Sequence, residues 1–196
     1  MKTKFLHIAT ALLFVGFTSS CSDFLDRYPL DELSDSSFWK TENDAMMAVT
    51  DIYGCLPTWD QDEDINSDNA VHGIKWAAGN ISKGVYDPMD QSWAGSYTPI
   101  RQCNLVLEKV KDIEMSDESR KKIEGQAYFF RAFVYFNLIR SFGDVPYIDK
   151  PLNLTDVEDI TRTPREEVYA KVMADFDKAI EYLPEEWDAA NTPRVT

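Results

Sequence analysis

At 196 residues the chain has room for one domain or one and a half, and 34 acidic against 20 basic side chains leave a formal charge of −14. A polyanion of that strength repels phosphate backbones and no basic patch interrupts it, so nucleic acid is excluded as a partner. Two histidines, three cysteines and no CxxC or HExxH spacing supply no metal-ligand set, so neither a metal nor a cofactor is expected.

The chain opens with Lys2 and Lys4, an apolar core from Phe5 to Phe17, and the small residues Thr18, Ser19 and Ser20 before Cys21. A basic start, a short apolar core and a small-residue cleavage point predict a secretory signal over residues 1–20 rather than a membrane span. Its removal takes away two lysines and no acid, making the balance two charges more negative. Cys21 then stands first, as the diacylated cysteine does in bacterial lipoproteins, although Thr18 replaces the leucine usual three residues earlier. Residues 21–40 read as a lipidated tether, turn-rich and containing Pro29, with Asp23 and Asp26 similar to the short acidic stretch of surface-directed lipoproteins.

Thr41 opens a predicted helix, with Asp44 three residues on as an imperfect capping box. Ala45, Val49, Ile52, Tyr53 and Leu56 give it one apolar face, and Pro57 ends it. From Pro57 to Asp90 helical periodicity is lost. A connection that long inside a domain is usually functional or disordered, and Trp59, Trp76, Tyr86, Ile65, Val71 and Ile74 argue against disorder. Aromatic rings beside Asp, Asn and Lys suit carbohydrate: a sugar offers a C–H face to a ring and hydroxyls to carboxylates and amides. Trp59, Asp68, Asn69 and Trp76 are the candidate ligand residues; the alternative is that the tryptophans merely cover the helices beneath. The run Asp60, Asp62, Asp64 fails as an EF-hand, because Ile65 and Val71 stand where glycine and glutamate are needed.

Trp93, Tyr97, Ile100, Asn104, Leu107 and Lys111 fall at helical spacing, predicting a helix from Gln91 to Ile113 that Pro99 kinks or effectively starts. The next helix is the centre of the chain. Ser116 is a usable N-cap, Asp117 and Glu118 suit the dipole, and Arg140, Gly143 and Pro146 mark the stop. Between them one apolar stripe runs Ile123, Ala127, Phe130, Val134, Leu138 and a second Tyr128, Ala132, Tyr135, Ile139. Phe129, Phe133 and Phe136 fill the remaining arc. A helix apolar nearly all round needs neighbours on most sides, yet this one holds Arg131 and Asn137 and falls short of the roughly 20 apolar residues a bilayer requires. Phe142 to Asp149 reads as a turn feeding a short extended segment. Thr163-Pro164-Arg165-Glu166 predicts the last helix start, with Thr163 as N-cap and Glu166 closing a capping box; Val168, Val172, Phe176, Ala179 and Leu183 form its buried side. Cys55 and Cys103 are either two buried thiols or one disulfide, with the thiols favoured.

Taken together, Trp93, Tyr97, Ile100 and Asn104, then Phe129 to Leu138 (FFRAFVYFNL), Phe142 to Pro146 (FGDVP), Arg162 to Tyr169 (RTPREEVY) and Asp175 to Pro184 resemble the SusD/RagB family, in order. The resemblance covers residues 21–196. It implies a mostly α-helical fold, tetratricopeptide-like helix pairs supporting long irregular loops, in residues 41–196. It also implies a non-enzymatic outer-membrane lipoprotein that binds glycans and delivers them to a SusC-like TonB-dependent transporter. A helical-repeat adaptor that binds only protein is the alternative; a glycosidase using Asp64 and Asp68 is a distant third. Arg131, buried among aromatics, must find an acceptor and is assigned to the scaffold. Because family members are far longer, the chain is expected to be an N-terminal portion, with Pro193 to Thr196 opening a further motif and an apolar surface left uncovered.

Overall fold

Helix signals in the sequence become four α-helices in the computed structural model, which describes residues 38–56, 93–188, 191 and 193–196. They are α1 (Glu42–Ile52), α2 (Trp93–Lys109), α3 (Asp117–Phe142) and α4 (Arg165–Tyr182), all within one unit, Trp39–Thr196. The capping box of α1 forms despite its short acid: the Thr41 N–H donates to Asp44 Oδ2 at 2.8 Å, and the Asp44 N–H to Thr41 Oγ1 at 3.3 Å. Ala45, Val49 and Ile52 are buried beneath it. α2 continues past Pro99, which sits inside the helix rather than starting it. The α-helix stops at Lys109 and tightens into a 3-10 turn over Val110–Asp112, short of the expected Ile113; position 91 lies outside the described residues.

α3 is the core rod that its composition demanded. Ser116 Oγ accepts from the Ser119 N–H at 3.0 Å, and Gly143 ends the helix at φ 70°, a conformation that favours glycine. α1, α2 and α4 all pack on it. Its first half joins α1 and α2 around Phe130, whose ring meets Tyr53 edge-on at 4.6 Å. Its second half joins Ile100 of α2 with Val168 and Val172 of α4. Gly125 is buried because a Cβ there would come within 3.0 Å of Leu183 Cγ, where the end of α4 crosses. Among the large apolar side chains of α3, Phe136 is the exposed one, at 43%.

Between the two apolar clusters lies a polar bolt. Arg131 donates to both carboxylate oxygens of Asp175 at 2.7 Å and to Asn104 Oδ1 at 2.8 Å, so α2, α3 and α4 meet at one guanidinium. Burial opposes the charge of Arg131, and the Asp175 carboxylate more than offsets this, holding the guanidinium above its ordinary value. Asn104 passes the network on by donating to the Ile148 carbonyl at 2.9 Å. Tyr135 both donates to Ile148 O and accepts from its N–H, pinning the segment that leaves α3. The acceptor required by Arg131 is thus supplied by scaffold residues, as the sequence demanded.

The start of α4 corrects the sequence reading. Thr163 is not its N-cap: its backbone is held in an antiparallel bridge to Val145, with N–H to O distances of 2.9 and 3.3 Å. Pro164 takes the cap position without a side-chain bond, and the open Arg165 N–H is satisfied by Asp144 Oδ1 at 2.9 Å. Glu166 pairs with Arg165 instead of closing a box. The cap comes from the turn after α3, so Asp144→Ala is expected to cost about 1 kcal/mol, read as a lower urea midpoint with an unchanged slope.

Cys55 and Cys103 are both free thiols, Cys103 buried and Cys55 partly so. Near the C-terminus Arg194 donates to Gln126 Oε1 at 3.1 Å and Thr50 Oγ1 at 3.0 Å, and the Val195 N–H to Tyr53 Oη at 3.1 Å. Residues 194 and 195 therefore lie back across α1 and α3. No described helix is long and apolar enough to cross a membrane.

Candidate functional site

A groove of about 950 Å³ lies where the end of α1, the first half of α2 and the last turns of α3 face one another. Its size falls at the upper end of small-ligand sites. Asp51, Gly54 and Cys55 border it from α1 and the 3-10 turn that follows. Gly95, Ser96, Pro99 and Gln102 border it from α2, and Phe133, Phe136, Asn137 and Arg140 from α3. The ends at Leu56 and Trp93, between which the aromatic and acidic stretch 57–92 is strung, therefore adjoin this groove in sequence. Gly95 is the residue whose carbonyl Pro99, lacking an N–H, cannot serve.

The lining combines ring faces with amides and a cation. Phe136 offers its half-exposed ring and Arg140 is exposed in the last helical turn. Asn137 uses its Nδ2 to donate to the Phe133 carbonyl at 3.1 Å, a bond that does not engage its side-chain oxygen. Gln102 donates to Asp51 Oδ2 at 2.6 Å, fixing α1 to α2 on the rim. Asp51 is the sole carboxylate among the described lining residues, so a two-carboxylate hydrolytic pair is not assembled from them. Burial pushes the Cys55 thiol up, which keeps it neutral and a poor nucleophile. This arrangement can stack and hydrogen-bond a polyhydroxylated ligand.

Trp93 at the head of α2 belongs to the scaffold. It meets Phe142 edge-on at 4.8 Å and carries the Arg162 guanidinium 5.2 Å over its ring. Tyr97, one turn on, donates to the Pro146 carbonyl at 3.0 Å, and burial pushes its hydroxyl up to about 12. A second hollow of about 310 Å³ lies along residues 147–160 beside Asp149, Asp156 and Asp159. No group of residues suited to a metal ion occurs among the described residues.

Every site residue named from sequence, Cys21, Trp59, Asp68, Asn69 and Trp76, lies outside the described residues, as do the acidic run Asp60 to Asp64 and the signal segment. The groove itself was not foreseen. Its signal was Phe136, Asn137 and Arg140 recurring on one side of an otherwise buried helix.

Residues 23–196 match a SusD-like family model described as "starch-binding associating with outer membrane". SusD-like protein P2 of Formosa agariphila is 30% identical over 199 residues, covering 94% of this chain and 38% of that protein. A SusD-like protein of Bacteroides ovatus is 26% identical, covering 96% and 36% respectively. The fold superposes on a SusD-like protein of Bacteroides fragilis with a TM-score of 0.74 at 27% identity, over 87% of this chain and 35% of that one. It also superposes on a laminarin-binding SusD-like protein, with a TM-score of 0.71 at 23% identity, over 80% and 37%. The chain thus spans little more than a third of the length of these relatives. With a family model matched along nearly all of its length and a helical fold superposing on those of the solved members, the chain belongs to the SusD/RagB family.

Proposed function

We propose that this chain is part of a cell-surface lipoprotein that captures glycans at the outer membrane and hands them to a SusC-like TonB-dependent transporter. The observation that carries the reading is the match of residues 23–196 to a family described as starch-binding and outer-membrane-associated. Three features support it. Cys21 follows a signal-like segment in the position that lipoproteins acylate. The stretch 57–92 concentrates Trp59, Asp68, Asn69 and Trp76, residue types that stack on and hydrogen-bond to sugars. The groove beside its two ends adds the Phe136 ring, the Asn137 amide and the Arg140 guanidinium.

Calorimetry on the full 196-residue chain with laminarin and maltose oligosaccharides tests this. Saturable binding is expected, weakened by Trp59→Ala and Trp76→Ala, with the sugar recovered chemically unchanged. Heats indistinguishable from dilution with every oligosaccharide would refute glycan capture by this chain.

A further inference from the structure

We propose that Asp51 decides which glycans the groove accepts: uncharged ones, with acidic glycans turned away. The inference rests on the glycan reading given above and adds to it the charge of the ligand. Asp51 is exposed, borders the groove and stands in the last turn of α1. The negative end of the helix dipole disfavours an acid there, and α1 has no basic residue in that turn to offset it. The helix itself therefore gives no reason for a carboxylate at this position. Gln102 of α2 donates to Asp51 Oδ2 at 2.6 Å, a bond that fixes the carboxylate while engaging only one of its oxygens. A carboxylate held in that way is set to accept a sugar hydroxyl through a charge-assisted bond.

The charge on the facing wall selects the ligand. Arg140 is exposed in the last turn of α3, with Phe136 and Asn137 one turn before it on the same helix face. Asp51 and Arg140 border one groove from different helices, and neither forms an ion pair among the described residues. The described lining thus carries one charge of each sign, and each is open to a ligand. A neutral sugar satisfies both, because its hydroxyls donate to the carboxylate and accept from the guanidinium. A hollow of about 950 Å³ takes more than one sugar at a time. A glycan with a carboxylate or sulfate on every sugar therefore cannot bring one charge to Arg140 without setting the next towards Asp51. The formal charge of −14 opposes its approach as well.

The test is calorimetry on the full chain with laminarin and maltose oligosaccharides, and with the same oligosaccharides after oxidation of their primary hydroxyls to carboxylates. The uncharged forms are expected to bind about tenfold more tightly than the oxidised ones. Asp51→Asn keeps an oxygen for Gln102 and removes only the charge. It should weaken the uncharged forms about tenfold, the scale of a charge-assisted hydrogen bond, and bring the two forms within about threefold of each other. Gln102→Ala releases the carboxylate but leaves its charge, so the uncharged forms should bind more weakly while the preference over the oxidised ones persists. Oxidised forms that bind the wild type as well as their parents, or a preference untouched by Asp51→Asn, overturn the inference and leave glycan capture standing. Heats of dilution alone with all of these oligosaccharides would refute glycan capture and this inference together.

Discussion

Replacing Asp175 by alanine is expected to destabilise the fold by about 3–5 kcal/mol, a large share of the 5–15 kcal/mol that holds a domain of this kind together. The carboxylate is 8% exposed and receives two charge-assisted bonds from a guanidinium that is itself 7% exposed. Its removal strands Arg131 in a site walled by the rings of α3, where the Asn104 oxygen and the Asp149 carbonyl, 3.5 Å away, are its remaining partners. The loss spreads, because Asn104 also holds the segment leaving α3 through the Ile148 carbonyl. The cost belongs to breaking the pair and not to lacking it. An Arg131→Met/Asp175→Leu double variant, which leaves no charge behind, should therefore recover most of the stability. Urea unfolding of the three proteins distinguishes the outcomes. A single-variant loss below about 1 kcal/mol would mean that water reaches the guanidinium and that the network is not a bolt.

That network also marks the boundary of what the residues alone disclose. α3 was legible because its signals agree: cap, dipole charges, two apolar stripes and a left-handed stop at Gly143 all specify one helix. The need of Arg131 for an acceptor was legible too, since a buried cation cannot stay unpaired. Its partner was harder to see, being 44 residues away. Yet Asp175 sits at helical spacing with Val168, Val172 and Ala179, and an acid inside a buried stripe is itself a request for a cation. The start of α4 was misread for a different reason. Thr163 carries the local signature of an N-cap, but its backbone was already committed to Val145, and tertiary pairing overrode local preference. The groove was illegible because it belongs to no single element. Three helix surfaces make it, and their meeting follows from packing. The ligand residues named from composition fall in the loop from Pro57 to Asp90, outside the described residues.

Cys21→Ala is expected to change where the protein resides and to leave its fold alone. Each buried methylene contributes about 0.8 kcal/mol to membrane attachment; one acyl chain binds marginally and two hold stably. A cysteine whose sulfur carries a diacylglyceryl group in thioether linkage would thus retain the chain at the outer membrane by two acyl chains, whereas alanine offers no attachment point. The wild-type chain should incorporate labelled palmitate and sediment with outer membranes. The variant should take no label and leave the membrane fraction almost completely. The helices described here begin beyond residue 38, so the oligosaccharide affinity of the released variant should match the wild type. On the proposed function, growth on the glycan should nonetheless fail, because losing the tether would dilute a captor proposed to work at high local concentration beside a transporter. An unlabelled wild-type chain, or a variant that stays on the membrane in equal amount, would remove the anchor from the account. Attachment would then have to come from the transporter contact itself, and uptake would survive the loss of Cys21.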